Sequence, residues 1–333
     1  MRPLAVVILA AGKGTRMKSA LAKVLHEVCG KPLIYYPVRL ARQLKATRIV
    51  AIVGHQAEAV RAAVRAEFPA ASIDFALQRT QEGTGHAVLQ AKSALRGFDG
   101  DVLILSGDVP LLRLETARAI VAQHRRTKSD LTSMTTRLDD PTGYGRCLTD
   151  EAGRLVRVVE QKDADEEQQK IQVVNAGFYV ANAKTLWATL ARIGKNNAQG
   201  EMYLTDAIEI AGHLGKKVLP FRLAEPWQIL GVNSRADLAE AARILRRALN
   251  AGWMKSGVTM IDPETTYLDW DVRVGPDTVI EPGAVLLGRT KIGAGCRIGQ
   301  GARLTDVTAG AGAVLGPYVV LQGMRVEAGE VID

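Results

Sequence analysis

The segment LAAGKGTRMKSALAKVLHEVCGKP, residues 9–32, carries glycines and cations at a spacing suited to binding phosphate. A glycine-rich turn directly after a strand lets backbone N–H groups approach phosphate oxygens closely. Lys13, Arg16 and Lys23 can neutralise the charge of a triphosphate. The glycines stand only as GKG, so the segment is neither a Walker loop nor the GxGxxG turn of dinucleotide-binding proteins. Taken alone, the pattern is equally compatible with a simple tight turn.

A short apolar run leads into this segment, and similar runs recur along the chain. They read LAVVILA at 4–10, RIVAIVG at 48–54 and DVLILSGD at 101–108. Amphipathic stretches typical of helices lie at 32–46, 56–67 and 84–96. Continuous Val, Ile and Leu runs that are bounded by glycine and alternate with helices are typical of buried parallel strands in βαβ units. The sequence therefore predicts an α/β fold with a doubly wound, Rossmann-like domain.

The ends of these strands are the place to look for a site, because ligands of open α/β sheets bind beyond the carboxyl ends of the strands. The first strand runs into AAGKGTRM at 10–17, and the third runs into SGDVP at 106–110. A later predicted strand at 173–180 carries VNAGFYV. All three segments contain glycine and polar groups, which makes them the candidates for a site.

The composition changes after a predicted helix at 234–252. Apolar residues then recur every six positions, and glycine directly follows three of them, at 275, 293 and 299. The six apolar positions are Val274, Ile280, Leu286, Ile292, Ile298 and Leu304. Such a period predicts a parallel β-helix, in which about three hexapeptides form one coil. The alternative, an irregular glycine-rich tail, would need this register to arise by accident. Beyond Ala309 the register slips, and about three to four coils are expected.

The composition is that of a folded protein larger than one small domain. Of 333 residues, 47% are hydrophobic, 23% charged and 5% aromatic. This length predicts two domains, or one large domain with an appendage. The net charge is +8, but the basic residues are spread over helix faces without an arginine–aromatic stripe. No nucleic acid partner is therefore expected.

The cysteines and the apolar runs indicate a cytoplasmic protein. Cys29, Cys147 and Cys296 lie far apart without metal-binding spacing, which predicts a reducing compartment. The apolar run from Leu4 to Ala11 is too short to span a bilayer and lacks the basic leader of a signal peptide. No other run reaches about 18 apolar residues. We expect a soluble protein without membrane insertion.

Residues 9–32 resemble the signature of sugar-nucleotide pyrophosphorylases, and KVLH at 23–26 is similar to that of bacterial N-acetylglucosamine-1-phosphate uridylyltransferases. Further segments agree in order along the chain. They are QEGTGHAV (81–88), SGDVPLL (106–112), DPTGYGR (140–146), VEQKDA (159–164), VVNAGFYV (173–180), NNAQGEMYLTD (196–206) and LGVNSR (230–235). The resemblance covers essentially the whole chain, and NNAQGEMYLTD and PTGYGR make it specific within the superfamily.

This resemblance implies an architecture and a reaction. The expected parts are a nucleotidyltransferase domain at 1–233, a linker helix at 234–255 and the first coils of a left-handed parallel β-helix at 256–333. The implied enzyme uses UTP, N-acetylglucosamine-1-phosphate and Mg2+ to make UDP-N-acetylglucosamine and pyrophosphate. One alternative is a uridylyl- or thymidylyltransferase for glucose-1-phosphate, and another is a non-catalytic nucleotide-sensing subunit.

The resemblance also implies which residues bind UTP and the metal. An amide edge and a backbone loop can pair with uracil, which assigns base recognition to Gln78 and to Gly83–Thr84. Asp108 and Asn233 would hold Mg2+, which prefers few protein oxygens together with phosphates and water. Arg16 and Lys23 would be the catalytic cations. The remaining nucleotide-binding positions are Leu9, Ala10, Ala11, Gly12, Ser106 and Gly107. The family usually has Tyr where this chain has Ser106.

For the acceptor sugar phosphate, the resemblance implies Gly145, Glu160 and Asn175, with Thr84 nearby. Glu160 suits sugar hydroxyls as a charge-assisted acceptor, and Gly145 allows close approach. Ala176 stands where the family more often has Thr.

Longer family members continue the β-helix and use it to acetylate glucosamine-1-phosphate from acetyl-CoA. No acetyltransferase activity is expected in this chain. Because family members trimerise through the β-helix, we expect a homotrimer, weakened by the short β-helix.

Overall fold

The computed structural model describes residues 2–333. They divide into two compact units. The first is formed by Met1–Leu25 and Leu33–Asn233, and the second by His26–Pro32 and Ser234–Asp333. The chain therefore passes between the two units at three points. Among the described residues, no helix is long and apolar enough to cross a membrane.

The first unit is built on a nine-stranded sheet. With a short hairpin of the second unit counted as β2 and β3, the strands are β1 Leu4–Ala10, β2 Glu27–Val28, β3 Lys31–Pro32, β4 Arg48–Val53, β5 Asp74–Leu77, β6 Asp101–Ser106, β7 Leu131–Arg137, β8 Arg146–Thr149, β9 Leu155–Val159, β10 Val173–Asn182 and β11 Val218–Leu223. The main path of the sheet is β11-β7-β10-β6-β1-β4-β5, and the β8–β9 hairpin pairs with β10. Strands β6, β1, β4 and β5 are parallel. The sequence predicts this for β1, β4 and β6, whereas β5 was not predicted.

Strands β1 and β6 lie next to each other in the middle of this path. Val6, Val7 and Ile8 of β1 have no exposed surface, and neither do the apolar residues of β6. Burying one such side chain contributes about 1.5–3 kcal/mol. Because both faces of these strands are covered, their sequences are continuously apolar and do not alternate with polar residues.

Strand β10 runs antiparallel to both of its neighbours, β6 and β7. Tyr179 of β10 pairs with Ile104 of β6, so the first half of β10 lies at the edge where β6 ends. A bulge interrupts the pairing with β7 between Asn175 and Tyr179. Gly177 within this bulge has a φ of 77°, a conformation that favours glycine. The antiparallel direction thus brings Asn175 to the same edge as the carboxyl end of β6.

The helices are α1 Tyr35–Gln43, α2 Ala57–Glu67, α3 Thr84–Leu89, α4 Leu114–Thr127, α5 Glu166–Gln169, α6 Ala183–Leu190, α7 Asp206–His213 and α8 Arg235–Lys255. The first two lie within the stretches predicted from amphipathic patterns. The third is shorter than predicted, because the chain continues from α3 as a 3-10 turn at Gln90–Lys92. Val88 and Ala91 are both fully buried. A 3-10 turn, with three residues per turn, keeps such an i, i+3 pair on one face.

The second unit is a left-handed parallel β-helix with one long helix, α8. Its strands are β12 Thr259–Met260, β13 Tyr267–Leu268, β14 Arg273–Val274, β15 Val279–Ile280, β16 Val285–Leu287, β17 Lys291–Ile292, β18 Arg297–Ile298, β19 Arg303–Thr305, β20 Thr308–Ala309, β21 Val314–Leu315, β22 Val320–Gln322, β23 Arg325–Val326 and β24 Val331–Ile332. They form three parallel sheets, β12-β15-β18-β21-β24, β13-β16-β19-β22 and β14-β17-β20-β23. All six apolar positions of the predicted repeat are buried, which confirms the β-helix.

The glycines of the repeat let successive coils approach each other. A Cβ atom on Gly275 would lie 2.5 Å from the amide nitrogen of Ala294 in the next coil. Gly293 stands in the same relation to Ala311, at 2.6 Å. Real Cβ atoms do not come this close to a backbone, so a side chain at either position would force the coils apart.

The predicted slip in register near Ala309 is a change in coil length. Val279 pairs with Arg297, 18 positions further on, whereas Arg297 pairs with Val314, 17 positions further on. The apolar position after Leu304 is Ala309, which is five residues away and remains buried. Later pairings, such as Thr308 with Arg325 and Val314 with Val331, are 17 positions apart as well, so the later coils are each one residue shorter than the first.

Helix α8 belongs to the second unit, together with the β2–β3 hairpin. It begins after Ser234, whose side chain accepts a hydrogen bond from the Asp237 backbone in a capping box. Near its end, Asn250 donates to the carbonyl oxygens of Pro263 and Thr266, at 2.8 and 3.0 Å. These bonds attach the helix to the first coil. The sequence places a linker helix at 234–255, and the structure packs that segment as part of the β-helix unit.

Candidate active site

The glycine-rich segment after β1 forms two short helical turns, Thr15–Met17 and Lys23–Leu25. Gly14 between β1 and the first turn has a φ of 63°, and a Cβ atom there would lie 2.5 Å from the Cβ of Lys23. Glycine at this position therefore allows Lys23 to fold back against the loop. In contrast, a Cβ on Gly12 would meet nothing within 4 Å, so packing does not explain glycine at that position.

Lys23 links two distant parts of the chain. Its ammonium group donates to the Asn233 side-chain oxygen at 3.0 Å and forms an ion pair with the Asp108 carboxylate. The side chains of Lys23 and Asp108 are only 15% and 19% exposed. The backbone N–H of Val232 donates to the carbonyl oxygen of Asp108 at 2.9 Å. This bond holds the segment that ends at Asn233 beside the end of β6.

A cleft of about 310 Å³ opens beside this cluster, at the carboxyl ends of the central strands. It brings together ten of the residues that the sequence assigns to nucleotide and metal binding. They are Leu9, Ala10, Ala11, Gly12, Lys23, Gln78, Gly83, Thr84, Ser106 and Asp108. The other lining residues are Val24, Gln81, Ala87 and Glu201.

One wall of the cleft is formed by the loop that follows β5. The backbone N–H of Gln78 donates to the Val53 carbonyl at 2.8 Å, and its side-chain amide donates to the Gly83 carbonyl at 3.1 Å. Further along the loop, the Gln81 side chain donates to the Ala11 carbonyl at 2.7 Å. The loop that is predicted to read the base is therefore tied to the glycine-rich segment.

The same loop is also joined to the segment that precedes α7. The Met202 N–H donates to the Glu82 carbonyl, and the Gly85 N–H donates to the Met202 carbonyl, both at 2.8 Å. The Thr84 hydroxyl accepts a hydrogen bond from the Leu204 N–H at 3.0 Å. A Cβ atom on Gly83 would lie 2.5 Å from the Met202 carbonyl oxygen. Glycine at 83 is thus needed for this close approach of two backbones.

A second cluster contains the three residues predicted to bind the acceptor. The backbone N–H of Asn175 donates to the Gly145 carbonyl at 2.8 Å. The Glu160 carboxylate accepts from the Thr205 hydroxyl at 3.1 Å, and a Cβ on Gly145 would lie 3.3 Å from its other oxygen. Thr205 directly follows Leu204, which bonds to Thr84 in the cleft. Both clusters therefore share one connecting segment.

Burial controls the acidity of this second cluster. Burial raises the pKa of Glu160, and the Asp206 and Asp163 carboxylates add to the effect, while the hydrogen bond from Thr205 opposes it. Burial and the charge of Glu160 raise the pKa of the Cys147 thiol to about 12. The pKa of Asp206 is also raised, chiefly by burial and then by Glu209. A carboxylate here is held in a poorly solvated place and favours a ligand that donates hydrogen bonds.

Six predicted site residues do not line the cleft itself. Arg16 is exposed on the first helical turn. Asn233 contacts Lys23. Gly107 packs against the end of β1, because its N–H donates to the Leu9 carbonyl at 2.8 Å. The remaining three, Gly145, Glu160 and Asn175, form the second cluster. The Asn175 side chain is already engaged, donating to the Tyr179 hydroxyl at 2.7 Å and accepting from Ser133 at 3.1 Å.

Sequence reasoning missed four residues of this region as individual contributors: Gln81, Glu201, Thr205 and Tyr179. All four fall within segments that the resemblance identified: QEGTGHAV, NNAQGEMYLTD and, for Tyr179, VVNAGFYV. No spacing pattern singles them out, because their roles depend on contacts between separate loops. Tyr179 is 3% exposed and reads in the sequence as an ordinary core residue of β10.

The donor atoms near Lys23 are compatible with Mg2+. Between residues 2 and 333, no cluster of three or more His, Cys, Asp or Glu side chains could hold a metal ion. Mg2+ does not need such a cluster, since it binds through one or two protein oxygens and takes the rest from phosphates and water. Asp108 and Asn233 supply one carboxylate and one amide oxygen, both of them hard donors.

Comparison with known proteins identifies the families to which the two parts of the chain are similar. Residues 5–246 match the family described as Nucleotidyl transferase, and residues 271–306 match Bacterial transferase hexapeptide (six repeats). The bifunctional protein GlmU of Anaeromyxobacter dehalogenans strain 2CP-C is 48% identical over 99% of this chain and 67% of its own length. GlmU of Anaeromyxobacter sp. strain Fw109-5 is 50% identical over 98% of this chain and 66% of its own. The chain thus spans about two thirds of the length of these relatives.

A solved structure supports the fold. It is described as a glucose-1-phosphate thymidylyltransferase from Bacillus anthracis in complex with a sucrose, and it matches with a TM-score of 0.61 at 20% identity. The match covers 73% of this chain and 95% of that chain. The family match covers residues 5–246, and the relatives are about half identical over nearly all residues of this chain. The chain therefore belongs to the nucleotidyl transferase family and, within it, to the GlmU proteins.

Proposed function

We propose that the cleft binds UTP, that N-acetylglucosamine-1-phosphate binds beside it, and that the enzyme joins them to give UDP-N-acetylglucosamine and pyrophosphate. The observation that carries this proposal is the connection between the two clusters. Thr84 in the cleft bonds to Leu204, and the next residue, Thr205, bonds to Glu160. A nucleotide and an acceptor bound at these places would lie next to each other, as group transfer requires.

In this proposal the base end of UTP lies against the loop after β5. Gln78 is buried, and its amide carries donors and an acceptor suited to the carbonyl and imide groups of uracil. The triphosphate extends along Leu9–Gly12 towards Lys23. Arg16, exposed on the neighbouring turn, would reach the phosphates from the solvent side.

The acceptor needs no general base. The second pKa of a phosphate monoester is about 6, so the sugar phosphate is largely dianionic at pH 7. One of its oxygens attacks the α-phosphorus of UTP in line. The new O–P bond forms as the bond between the α-phosphorus and the bridging oxygen breaks, and pyrophosphate leaves with the electron pair. The protein contributes by holding the reactants and by neutralising charge with Lys23 and Arg16.

Asp108 and Asn233 are the residues that would hold Mg2+. A bound Mg2+ would supply charge neutralisation at the phosphates. Lys23 contacts both side chains and keeps their oxygens pointing towards the same place.

In the acceptor cluster, Glu160 would accept hydrogen bonds from sugar hydroxyls. Burial leaves the ionised carboxylate poorly solvated and raises the pKa of Glu160, so donors from a bound sugar would stabilise it. Gly145 leaves room beside it, where a side chain would come into contact with Val158 and Glu160.

The test is pyrophosphate release from UTP in the presence of Mg2+. N-acetylglucosamine-1-phosphate and glucose-1-phosphate would be compared as acceptors, with EDTA as the control for metal dependence. Metal-dependent release that is much faster with the acetylated sugar supports the proposal. Preference for glucose-1-phosphate would move the assignment to a different sugar-1-phosphate, and no release with either sugar would contradict a catalytic role.

We further propose a cytoplasmic homotrimer assembled through the β-helix. Large apolar side chains are exposed on the second unit, including Tyr267, Tyr318 and Val320 at 47%, 68% and 72%. Surfaces of this kind mark protein contacts. Light scattering coupled to size-exclusion chromatography measures the mass, and a monomer at all concentrations would contradict the trimer.

A further inference from the structure

His86, in helix α3, contacts the side chain of Gln78 and is not among the residues that line the cleft. The Nδ1 atom of His86 is 3.2 Å from the side-chain nitrogen of Gln78. The same nitrogen of Gln78 donates to the Gly83 carbonyl at 3.1 Å. Gln78 is 5% exposed, so its amide has few other partners to choose from.

The protons of this group can be accounted for one by one. The Gln78 amide nitrogen has two protons, and the Gly83 carbonyl accepts one of them. The second points to His86 Nδ1, which must then be an acceptor. A neutral imidazole has one acceptor nitrogen and one N–H, so the proton of His86 must be on Nε2.

The other ring nitrogen has its own neighbour. Gln90 places its amide nitrogen 3.0 Å from His86 Nε2 and 3.1 Å from the His86 carbonyl oxygen. Since Nε2 carries the proton, Gln90 keeps the bond to the carbonyl oxygen and cannot also donate to the ring. Gln90 is half-buried and Gln78 is buried. The side chain of Gln90 is therefore the one that can rotate to relieve the contact between the two N–H groups.

We propose that His86 is a positioning residue that fixes which edge of the Gln78 amide faces the cleft, and that it thereby selects uracil over cytosine. With both amide protons directed at Gly83 and His86, the Gln78 side-chain oxygen is the atom left to face the base. Uracil presents a donor, its N3–H, where cytosine presents an acceptor at N3. An amide oxygen attracts the first and repels the second. This inference rests on the proposed role of Gln78 in base recognition.

Without the acceptor at Nδ1, the bond to the Gly83 carbonyl is the one described contact that still favours this orientation of the amide. If it rotates by half a turn, the NH2 group faces the cleft and becomes a partner for cytosine N3 instead. The effect of His86 should therefore appear in the choice of base, whereas a general loss of structure would lower activity with every nucleotide.

The experiment compares kcat/KM for UTP and CTP in the wild type and in His86→Phe, which keeps a flat ring without a nitrogen acceptor. The UTP:CTP ratio should fall about tenfold, as expected when a buried hydrogen bond is misdirected. His86→Asn retains an acceptor near the Nδ1 position and should keep the ratio within about threefold of the wild type. His213→Phe makes the same change on an exposed residue at the end of α7 and should leave the ratio unchanged.

The outcomes separate this inference from the proposed function. A wild type that transfers nothing from UTP overturns the proposed function. A wild type that prefers UTP, with a His86→Phe variant that keeps the full ratio, overturns only the inference.

A second measurement determines the tautomer of His86 in the wild-type protein itself. Long-range 1H–15N correlation of the histidine rings in labelled wild-type protein reports the tautomer, with His86 assigned by comparison with His86→Asn. The Nε2–H tautomer is expected. A ring protonated on Nδ1 could not accept from Gln78, and that result would overturn the inference.

Discussion

The ammonium group of Lys23 donates a hydrogen bond to the side-chain oxygen of Asn233 across 3.0 Å, although 210 positions separate the two residues in the chain. The same group is paired with Asp108. Lys23 therefore holds both of the oxygens that we propose as Mg2+ ligands. Removing the lysine changes the phosphate contacts and also frees these two ligands from each other.

Lys23→Ala should lower kcat/KM for UTP about 100-fold, because it removes a cation that would face the triphosphate. Steady-state kinetics at varied UTP and saturating sugar phosphate would measure the effect. Lys92→Ala, on an exposed turn away from the cleft, is the matched control. An unchanged kcat/KM for UTP in Lys23→Ala would remove this residue from the site.

Asp108→Ala should reduce turnover by at least about 100-fold, because Mg2+ would lose its carboxylate ligand. Raising the Mg2+ concentration should recover only part of the activity. The folded structure should persist, as judged by circular dichroism and thermal unfolding. Asp74→Ala removes an exposed carboxylate at the start of β5 and should have little effect. Near-normal turnover in Asp108→Ala would contradict the assignment.

Thr205→Val should raise KM for the sugar phosphate about tenfold and leave KM for UTP nearly unchanged. The valine keeps the shape of threonine but removes the hydrogen bond to the Glu160 carboxylate, and bonds to charged groups contribute about 1.5–3 kcal/mol. Thr205→Ser retains the hydroxyl and should behave like the wild type. Equal changes in both KM values would show that the substitution disturbs the whole region.

Glu160→Gln should stabilise the protein in a pH-dependent way. Burial raises the pKa of Glu160 above its ordinary value of 4.5. Between that value and the raised pKa, the folded state holds a proton that the unfolded state has lost, so wild-type stability falls as pH rises. The glutamine side chain does not titrate, so the stability of the variant lacks this pH dependence. Its gain in melting temperature should be absent below about pH 4.5 and should grow as pH rises through the folded-state pKa. A constant difference across this range would argue against the raised pKa.

Two glycine substitutions in the second unit should act in opposite directions. Gly293→Ala places a Cβ 2.6 Å from the backbone nitrogen of Ala311, and overpacking of this kind costs about 1–3 kcal/mol. Gly252→Ala lies within α8, where a Cβ meets nothing within 4 Å, and should stabilise by up to about 1 kcal/mol. Urea unfolding would measure both. Similar stability for the two variants would contradict the tight approach of the coils.

The sequence predicts the fold well where one pattern dominates over many residues. The apolar runs of β1 and β6 and the six-residue period from Val274 to Leu304 are confirmed, because burial on both faces and stacking of coils leave a regular trace in the sequence. The uridylyltransferase family is confirmed as well. The antiparallel direction of β10 could not be predicted from the sequence, since an apolar run can pair with its neighbours in either direction.

The candidate site is predictable to a similar extent. Ten residues taken from separate motifs line one cleft. Their roles in binding remain predictions. The supporting contacts were not predictable. Thr205 reaches Glu160 and Gln81 reaches Ala11 only because distant loops are folded together. Short-range patterns carry no signal for such pairs.

The hairpin at His26–Pro32 has a consequence for how this protein could be rearranged. Its Cys29 carbonyl accepts from the Trp270 N–H at 2.9 Å, and a Cβ at Gly30 would lie 2.5 Å from Asp269. A cut after Asn233 would therefore separate the seven residues His26–Pro32 from the rest of the unit to which they belong. Recombination that exchanged the β-helix for a foreign one would have to bring matching partners for this hairpin. The hairpin thus ties the sequence of residues 26–32 to that of the first β-helix coils, although it lies within the first 233 residues.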